Sequence, residues 1–196
     1  MFFGPDGNIG TLGRKARGAL VLSVLPLVAA CSGSGGKAPA ETAAAEPAGC
    51  PRVTIVRDAA EVTQFREGGG RDMTDVKSRA AVVDFTGGCE YDRNGVTVNL
   101  NLVLGAERGP AASRDKSGTY RYFVAITDPA GQIVAKQEFD TTIDFSPNVG
   151  RGGSVEELSQ QIPLANGASG SSYEVLVGFQ LAPADLEFNR NPQRTF

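Results

Sequence analysis

The side chains of this chain that could do chemistry are cysteines and carboxylates, because its 196 residues include no histidine. Without imidazole there is no Ser-His-Asp or Cys-His nucleophile pair, no histidine-ligated zinc or haem, and no histidine pH switch. The sequence therefore points to covalent attachment or disulfide formation at Cys31, Cys50 and Cys89 rather than to catalysis.

Two acidic pairs, Asp84/Glu90 and Asp140/Asp144, are candidates for a two-carboxylate site of acid–base catalysis. Solvation at strand edges explains both pairs more simply, and no serine lies in a GxSxG or SxxK motif. We therefore predict no catalytic residue, no metal, no cofactor and no enzymatic activity. The alternative is a domain that binds or hydrolyses glycans or peptides with paired carboxylates.

Glu90, Asp92 and Asn94, followed by Gly95, have the oxygen spacing of a calcium-binding loop. The twelfth position counted from Glu90 is Asn101 rather than a bidentate glutamate, and it falls inside a predicted strand. A polar hairpin turn is the better interpretation of this segment.

The segment Tyr120-Arg121-Tyr122 combines aromatic and arginine side chains, which are enriched at the centres of binding interfaces. A cross-strand pair that only covers the sheet is the simpler interpretation. The formal charge of −3 and the scattered arginines form no basic stripe, so nucleic acid is not predicted as a partner.

Residues 1–30 have the order typical of an export signal. Arg14, Lys15 and Arg17 precede the apolar run ALVLSVLPLVAA at 19–30. This run is shorter than the roughly 20 apolar residues that a membrane-spanning helix needs. Cleavage after it would leave a more acidic chain, because this segment carries more basic than acidic residues.

The sequence Leu27-Val28-Ala29-Ala30-Cys31 resembles the lipobox of bacterial lipoproteins. The resemblance implies cleavage before Cys31, a thioether-linked diacylglycerol on its sulfur and an acylated amino terminus, including palmitate. It also implies sorting to the periplasmic leaflet of the outer membrane, because Ser32 rather than aspartate follows the cysteine. The alternative is an ordinary secretory signal with an incidental cysteine.

A flexible tether is predicted for the segment that begins at Cys31 and ends at residue 49. It contains glycine, serine, alanine and proline but no large apolar side chain, so it cannot bury enough surface to offset its ordering entropy. The predicted organisation is a signal peptide at 1–30, a lipidated tether at 31–49, a folded domain at 50–190 and a tail at 191–196.

Cys50 and Cys89 remain as a pair once Cys31 carries lipid, and an even number in an exported chain indicates a disulfide. An antiparallel pairing of the segments 51–58 and 80–88 would bring these two residues together. Free thiols or a two-thiolate metal site are the alternatives, although zinc prefers four ligands and no CxxC motif completes the set.

Alternation of apolar and polar residues with a period of two dominates the chain from residue 51 and predicts strands. The turns Asp128-Pro129-Ala130-Gly131 and Asn94-Gly95 predict two hairpins. The predicted strands are 52–56, 80–88, 95–105, 120–126, 133–139, 141–145, 157–162 and 173–181.

Helix signals are few. Asp58-Ala59-Ala60-Glu61 has the spacing of a capping box, so one or two helical turns or an extended segment follow there. Pro183 to Phe188 predicts a terminal helical turn. We therefore predict an all-β protein, an antiparallel two-sheet β-sandwich of immunoglobulin-like or fibronectin-like type.

The segment from Cys50 to Arg190 resembles an uncharacterised family of alphaproteobacterial envelope lipoproteins. The resemblance rests on several short segments: Cys89-Glu90-Tyr91, Glu107-Arg108-Gly109-Pro110, 122–128, Glu156-Glu157-Leu158, 178–181 and 187–190. It implies a location in the cell envelope and no assigned activity. The expected function is a non-catalytic interaction or scaffold module whose partners are the membrane, through the lipid, and another envelope protein.

Overall fold

Two β-sheets pack face to face in the part of the chain that the computed structural model describes, residues 49–164 and 168–191. This arrangement confirms the predicted two-sheet β-sandwich. The predicted signal peptide, the lipidation site Cys31, nearly all of the predicted tether and nearly all of the predicted tail lie outside the described residues.

Eight strands and one helix form the described part of the chain. Sheet one has the strand order β1-β8-β5-β6, and sheet two has the order β2-β3-β4-β7. The strands β5 and β6 are a hairpin in sheet one, while the strands before and after them, β4 and β7, pair with each other in sheet two. The bounds are β1 (Arg52–Ile55), β2 (Glu61–Phe65), β3 (Val76–Asp92), β4 (Gly95–Arg108), β5 (Ser117–Thr127), β6 (Ile133–Asp144), β7 (Arg151–Pro163), β8 (Glu174–Phe179) and α1 (Pro183–Arg190).

The core lies between the sheets and is built from alternate residues of the central strands. In β4, Val96, Leu100 and Leu104 are at most 2% exposed, while the intervening Asn99 and Asn101 face solvent. Sheet one contributes the alternate residues of β5 and β8 to the same core. The alternation seen in the sequence therefore identifies the buried face of these strands correctly.

Both predicted hairpins are present. The Gly131 N–H donates to the Asp128 carbonyl at 2.9 Å, and Gly131 has a φ of 76°, which glycine adopts without strain. The predicted terminal helical turn is also confirmed, as α1.

Three strand predictions need correction. The predicted strands 133–139 and 141–145 are one continuous strand, β6. The strand predicted at 157–162 begins earlier, at Arg151, because Gly152 and Gly153 extend the ladder with β4. The strand predicted at 80–88 is longer at both ends and runs over Val76–Asp92. The segment with capping-box spacing forms a single 3-10 turn, Arg57–Ala59, and then the extended strand β2, which was the alternative to a helix there.

The disulfide between Cys50 and Cys89 is present, with a Cα–Cα distance of 5.7 Å. The strand pairing that suggested it is wrong. The strand β1, which follows Cys50, runs parallel to β8 in sheet one, whereas β3, which contains Cys89, lies in sheet two. The strand β2 takes the place beside β3, because it precedes β3 directly in the chain. The disulfide therefore joins the two sheets, as in antibody domains.

Candidate functional site

The acidic pairs that could have formed a catalytic site do not meet. Asp84 and Glu90 lie on one strand, β3, about 20 Å apart at the usual rise per residue. Asp140 and Asp144 lie on β6, about 13 Å apart by the same measure. Two carboxylates that share a glycosidic bond lie roughly 5 to 9.5 Å apart, so neither pair has the geometry of that reaction.

The segment with calcium-loop spacing is a hairpin turn between β3 and β4. The Asp92 Oδ1 atom accepts the N–H groups of Asn94 at 2.7 Å and Gly95 at 3.0 Å. The carboxylate thus closes the turn, and Asn101 lies on β4 as expected. No group of three or more metal-binding side chains occurs among the residues that the structure describes.

Arg121 pairs with Asp140, its register neighbour on β6, through two hydrogen bonds of 2.8 and 3.1 Å. The hydrogen bonds from the Arg121 guanidinium lower the pKa of the Asp140 carboxyl. Tyr120 and Tyr122 point the other way and are each 1% exposed. The segment 120–122 is therefore the cross-strand pair that the simpler interpretation predicted.

A cavity of about 990 Å³ opens between β2 and the start of β5. Its carboxylates include Asp140, held by Arg121, and Asp185, held by Arg71 at 2.9 Å. A general acid needs a raised pKa, whereas the pKa of Asp140 is lowered. These two ion pairs join the loop at Arg71 to the helix α1 and the strand β5 to the strand β6.

One carboxylate that the sequence did not indicate as a candidate for chemistry lies between the sheets. The Glu156 carboxylate on β7 accepts hydrogen bonds from the hydroxyls of Thr141 at 2.7 Å and Ser154 at 2.8 Å. Burial raises the pKa of the Tyr122 hydroxyl, and the neighbouring Glu156 raises it further. This cluster holds β6 to β7 and offers one carboxylate, which is too few for two-carboxylate chemistry.

Large apolar side chains that are exposed concentrate in two regions of the described surface. The first is the outer face of sheet two and the loops beside it, with Met73, Val83, Val149 and Val155. The second is the start of β6, with Ile133 and Val134. Exposed apolar groups that cluster on a surface mark interaction sites more often than single ones do.

The outer face of sheet two carries a row of charges next to a row of very small residues. Arg79, Glu107 and Arg151 are register neighbours across β3, β4 and β7, and the Arg151 Nε atom lies 3.4 Å from Glu107 Oε2. Ala81 and Gly105, in the next row, form an apolar floor. Beyond this floor stand the exposed side chains of two valines, Val83 and Val155.

Two adjoining depressions share the row of charges. One, of about 310 Å³, lies over Ala81 and Gly105 beside Val83. The other, of about 460 Å³, includes Met73 and Val149. Three arginines and two glutamates, Glu61 and Glu107, line them, so this surface carries one net positive charge beside its apolar groups. We name it the arginine face: Met73, Arg79, Ala81, Val83, Gly105, Glu107, Arg108, Val149, Arg151 and Val155.

Val83 stands out because a β-bulge interrupts the register between Val82 and Asp84. The extra residue turns the Val83 side chain over Gly105, where a Cβ atom would lie only 2.9 Å from Val83 Cγ2. The apolar pair Val82-Val83, which breaks the alternation of the strand, is the one sequence signal for this surface. The convergence of the three arginines has no signal in the sequence.

None of the described helices is long and apolar enough to cross a membrane. No family model matches this chain, and no curated protein and no solved structure matches it.

Proposed function

We propose that this protein is a non-catalytic interaction module of the cell envelope. It is anchored by lipid on Cys31 in the periplasmic leaflet of the outer membrane, and it binds another envelope protein. The lipobox-like sequence that ends at Cys31 supports the anchor. The observation that carries the binding function is the arginine face.

The arginine face combines the residue types that recur in binding hot spots. Arginine is enriched at such sites, and the floor of Ala81 and Gly105 lets a partner side chain approach the sheet closely. Val83 and Val155, which are 64% and 62% exposed, would lose water on contact. The partner that fits is an envelope protein with an apolar anchor side chain and acidic residues around it.

The partner is tested by crosslinking the full chain in its native envelope and purifying it under denaturing conditions. We expect one stoichiometric partner, and we expect Val83→Glu to reduce its recovery about tenfold or more, because a buried unpaired charge is costly. Val134→Glu is the matched control, since Val134 is a similarly exposed strand valine away from this face. Equal recovery with both variants, or no stoichiometric partner, would refute the proposal.

The anchor is tested by labelling cells with palmitate. We expect the wild-type chain to incorporate label and to be processed, and Cys31→Ser to abolish both. The expected location is outer-membrane fractions. Normal processing of Cys31→Ser would show an ordinary secretory signal instead.

The alternative proposal, a domain that binds or hydrolyses envelope glycans or peptides with paired carboxylates, draws no support from the acidic pairs. Asp140 is engaged by Arg121, and Asp84 accepts the N–H of its own neighbour Phe85 at 2.8 Å. The interaction module is therefore the function that the geometry supports best.

A further inference from the structure

The strand β6 is the last strand of sheet one, and its outer edge is free over much of its length. Its backbone groups alternate in direction: the Phe145 N–H donates to Lys116 on the β5 side, whereas the Ser146 N–H donates to Arg151 on the β7 side. The even-numbered residues from Lys136 onward therefore present their N–H and C=O groups at the outer edge. At Val134 a bulge shifts the register with β5, so this alternation begins after it. From Lys136 to Asp140, no strand of the described chain pairs with these groups.

The side chains along this stretch are also uncovered. Ile133 and Val134 are 61% and 56% exposed, and Ala135 and Gln137 are exposed although they lie on the face that points towards sheet two. A free edge with exposed apolar side chains is a template for pairing with another strand. Lys136 and the bulge at Val134 are features of a protected edge, whereas the exposed apolar side chains beside them are features of an interface.

This edge carries two opposite charges, Lys136 and Glu138, and the Lys136 Nζ atom lies 3.0 Å from the Glu138 Oε1 atom of the same chain. In a dimer the same two side chains can pair with their counterparts in the second copy. In an antiparallel pairing of two such edges about Gln137, Lys136 lies opposite Glu138 of the second copy, and Val134 lies opposite Asp140 of the second copy. A pairing about residue 136 places lysine on lysine, and one about residue 138 places glutamate on glutamate. Among these three registers, only the one centred on Gln137 has no like-charge contact.

We infer that two copies of this protein pair through β6, antiparallel and centred on Gln137, and so join two copies of sheet one into one continuous sheet. About four backbone hydrogen bonds form across the seam, two for each of the two pairings of Lys136 with Glu138 of the second copy. Ala135 lies opposite Phe139 of the second copy. The surface is separate from the arginine face, so each copy keeps that face available.

The register makes a sharp prediction for crosslinking. The variant is Gln137→Cys in the full chain, extracted in mild detergent and oxidised with copper phenanthroline. In the proposed register the two introduced thiols face each other at a non-hydrogen-bonded position, so we expect a covalent dimer. Ala135→Cys is the matched control on the same face. In this register residue 135 lies opposite Phe139 of the second copy, four residues from the introduced thiol of that copy, so the two thiols do not meet. Equal crosslinking of the two variants, or none with Gln137→Cys, would overturn the inference.

Charge reversal tests the same register independently. In the Gln137→Cys background, Lys136→Glu and Glu138→Lys each create like-charge contacts, and we expect each to lower dimer yield about tenfold. Co-expression of the two variants restores both opposite-charge contacts, so mixed dimers should return to the wild-type yield. Failure of this rescue would contradict the register.

A crosslinked product of Gln137→Cys that contains a different protein would show that a foreign strand occupies the edge, and it would refute pairing with a second copy. The Val83→Glu variant distinguishes the two proposals. It should lose the envelope partner and keep the β6 dimer, whereas Val134→Glu should keep the partner and lose the dimer.

Discussion

The two long sides of the sandwich differ in how the chain treats its sheet edges. On one side, which we call the tied side, the edge strands are β1 and β2. On the other, the free side, they are β6 and β7. The edge strands on both sides have backbone groups that could pair with another strand. The two sides differ in whether other segments of the chain cover these edges.

The tied side is held by covalent, polar and aromatic contacts that reach across the sheets. The disulfide of Cys50 joins them, and the Gln64 amide donates to the Thr119 carbonyl at 2.8 Å. The helix α1 covers β2, with the Phe188 ring 5.1 Å from that of Phe65. The Asn189 amide donates at 2.8 Å to two carbonyl oxygens, those of residues 58 and 61.

The free side is closed at one end. There the Ser146 N–H donates to the Arg151 carbonyl at 2.9 Å, and the hydroxyls of Thr141 and Ser154 meet Glu156. Beyond this junction, β6 has no covering segment among the described residues. The chain therefore covers the edges at β1 and β2 with its own residues, whereas it leaves β6 uncovered beyond the junction.

The largest expected effect concerns the tied side. Replacing both Cys50 and Cys89 with alanine should lower the free energy of unfolding by about 4 kcal/mol, because a loop of 39 residues is no longer closed in the unfolded chain. Urea unfolding of the variant and the wild type measures the difference. Reductant should destabilise only the wild type, and an equal loss in both would mean that the disulfide is not the cause.

Gly152 is the residue on which the junction of the free side depends. A Cβ atom there would lie 1.9 Å from the Asp144 carbonyl oxygen, so Gly152→Ala should force β7 away from β6 and cost about 2 to 3 kcal/mol. Gly88→Ala is the control, since nothing lies within 4 Å of its Cβ position. Equal midpoints in urea for both variants would contradict this role.

Two half-buried phenylalanines, Phe139 on the free side and Phe188 on the tied side, allow a direct comparison of the two sides. Phe139 stacks on the core residue Tyr122 at 5.3 Å, so Phe139→Ala should lower the global stability by about 2 kcal/mol. Phe188→Ala should instead act locally, since α1 only covers the edge of β2. Hydrogen exchange is the measurement: the amides of α1 should exchange faster in Phe188→Ala while those of β4 do not. Unchanged protection of α1 would contradict the comparison.

The smallest effect concerns the exposed pair of Arg121 and Asp140 on the free side. Its hydrogen bonds lower the pKa of Asp140 in the folded state, so its contribution to stability is present above the unfolded pKa of about 4. That contribution is lost as the pH falls through the folded pKa. Asp140→Asn should therefore be slightly less stable than the wild type at pH 7 and equal to it at about pH 2, and 1 M salt should shrink the difference at pH 7.

Local features of the fold were predictable because they depend on neighbours in the chain. The alternation of β4 identifies its buried face, and the turn residues from Asp128 to Gly131 locate a hairpin. The prediction of two strands at 133–139 and 141–145 was wrong because Asp140, a poor strand former, is held within β6 by Arg121. Cross-strand pairing overrides the preference of a single residue.

The candidate site was much less predictable. Arg79, Glu107 and Arg151 lie far apart in the chain and become neighbours through the β3-β4-β7 register. The exposure of β6 was equally unpredictable, because Ala135 and Phe139 share one face of the strand and yet β6 is exposed from Ile133 to Glu138. A strand's pattern indicates which residues share a face, but not whether anything covers that face.

The sequence by itself determined that this protein is a two-sheet β-sandwich with one pair of cysteines in its body, since alternation, turn residues and cysteine number are properties of short segments. Only the tertiary structure decided that β1 lies beside β8, that the disulfide joins the two sheets, that three arginines line adjoining depressions, and which edges are covered. The physical reason is that backbone hydrogen bonds in a sheet are nearly independent of side-chain identity. Which strands become neighbours is therefore settled by packing the whole core at once.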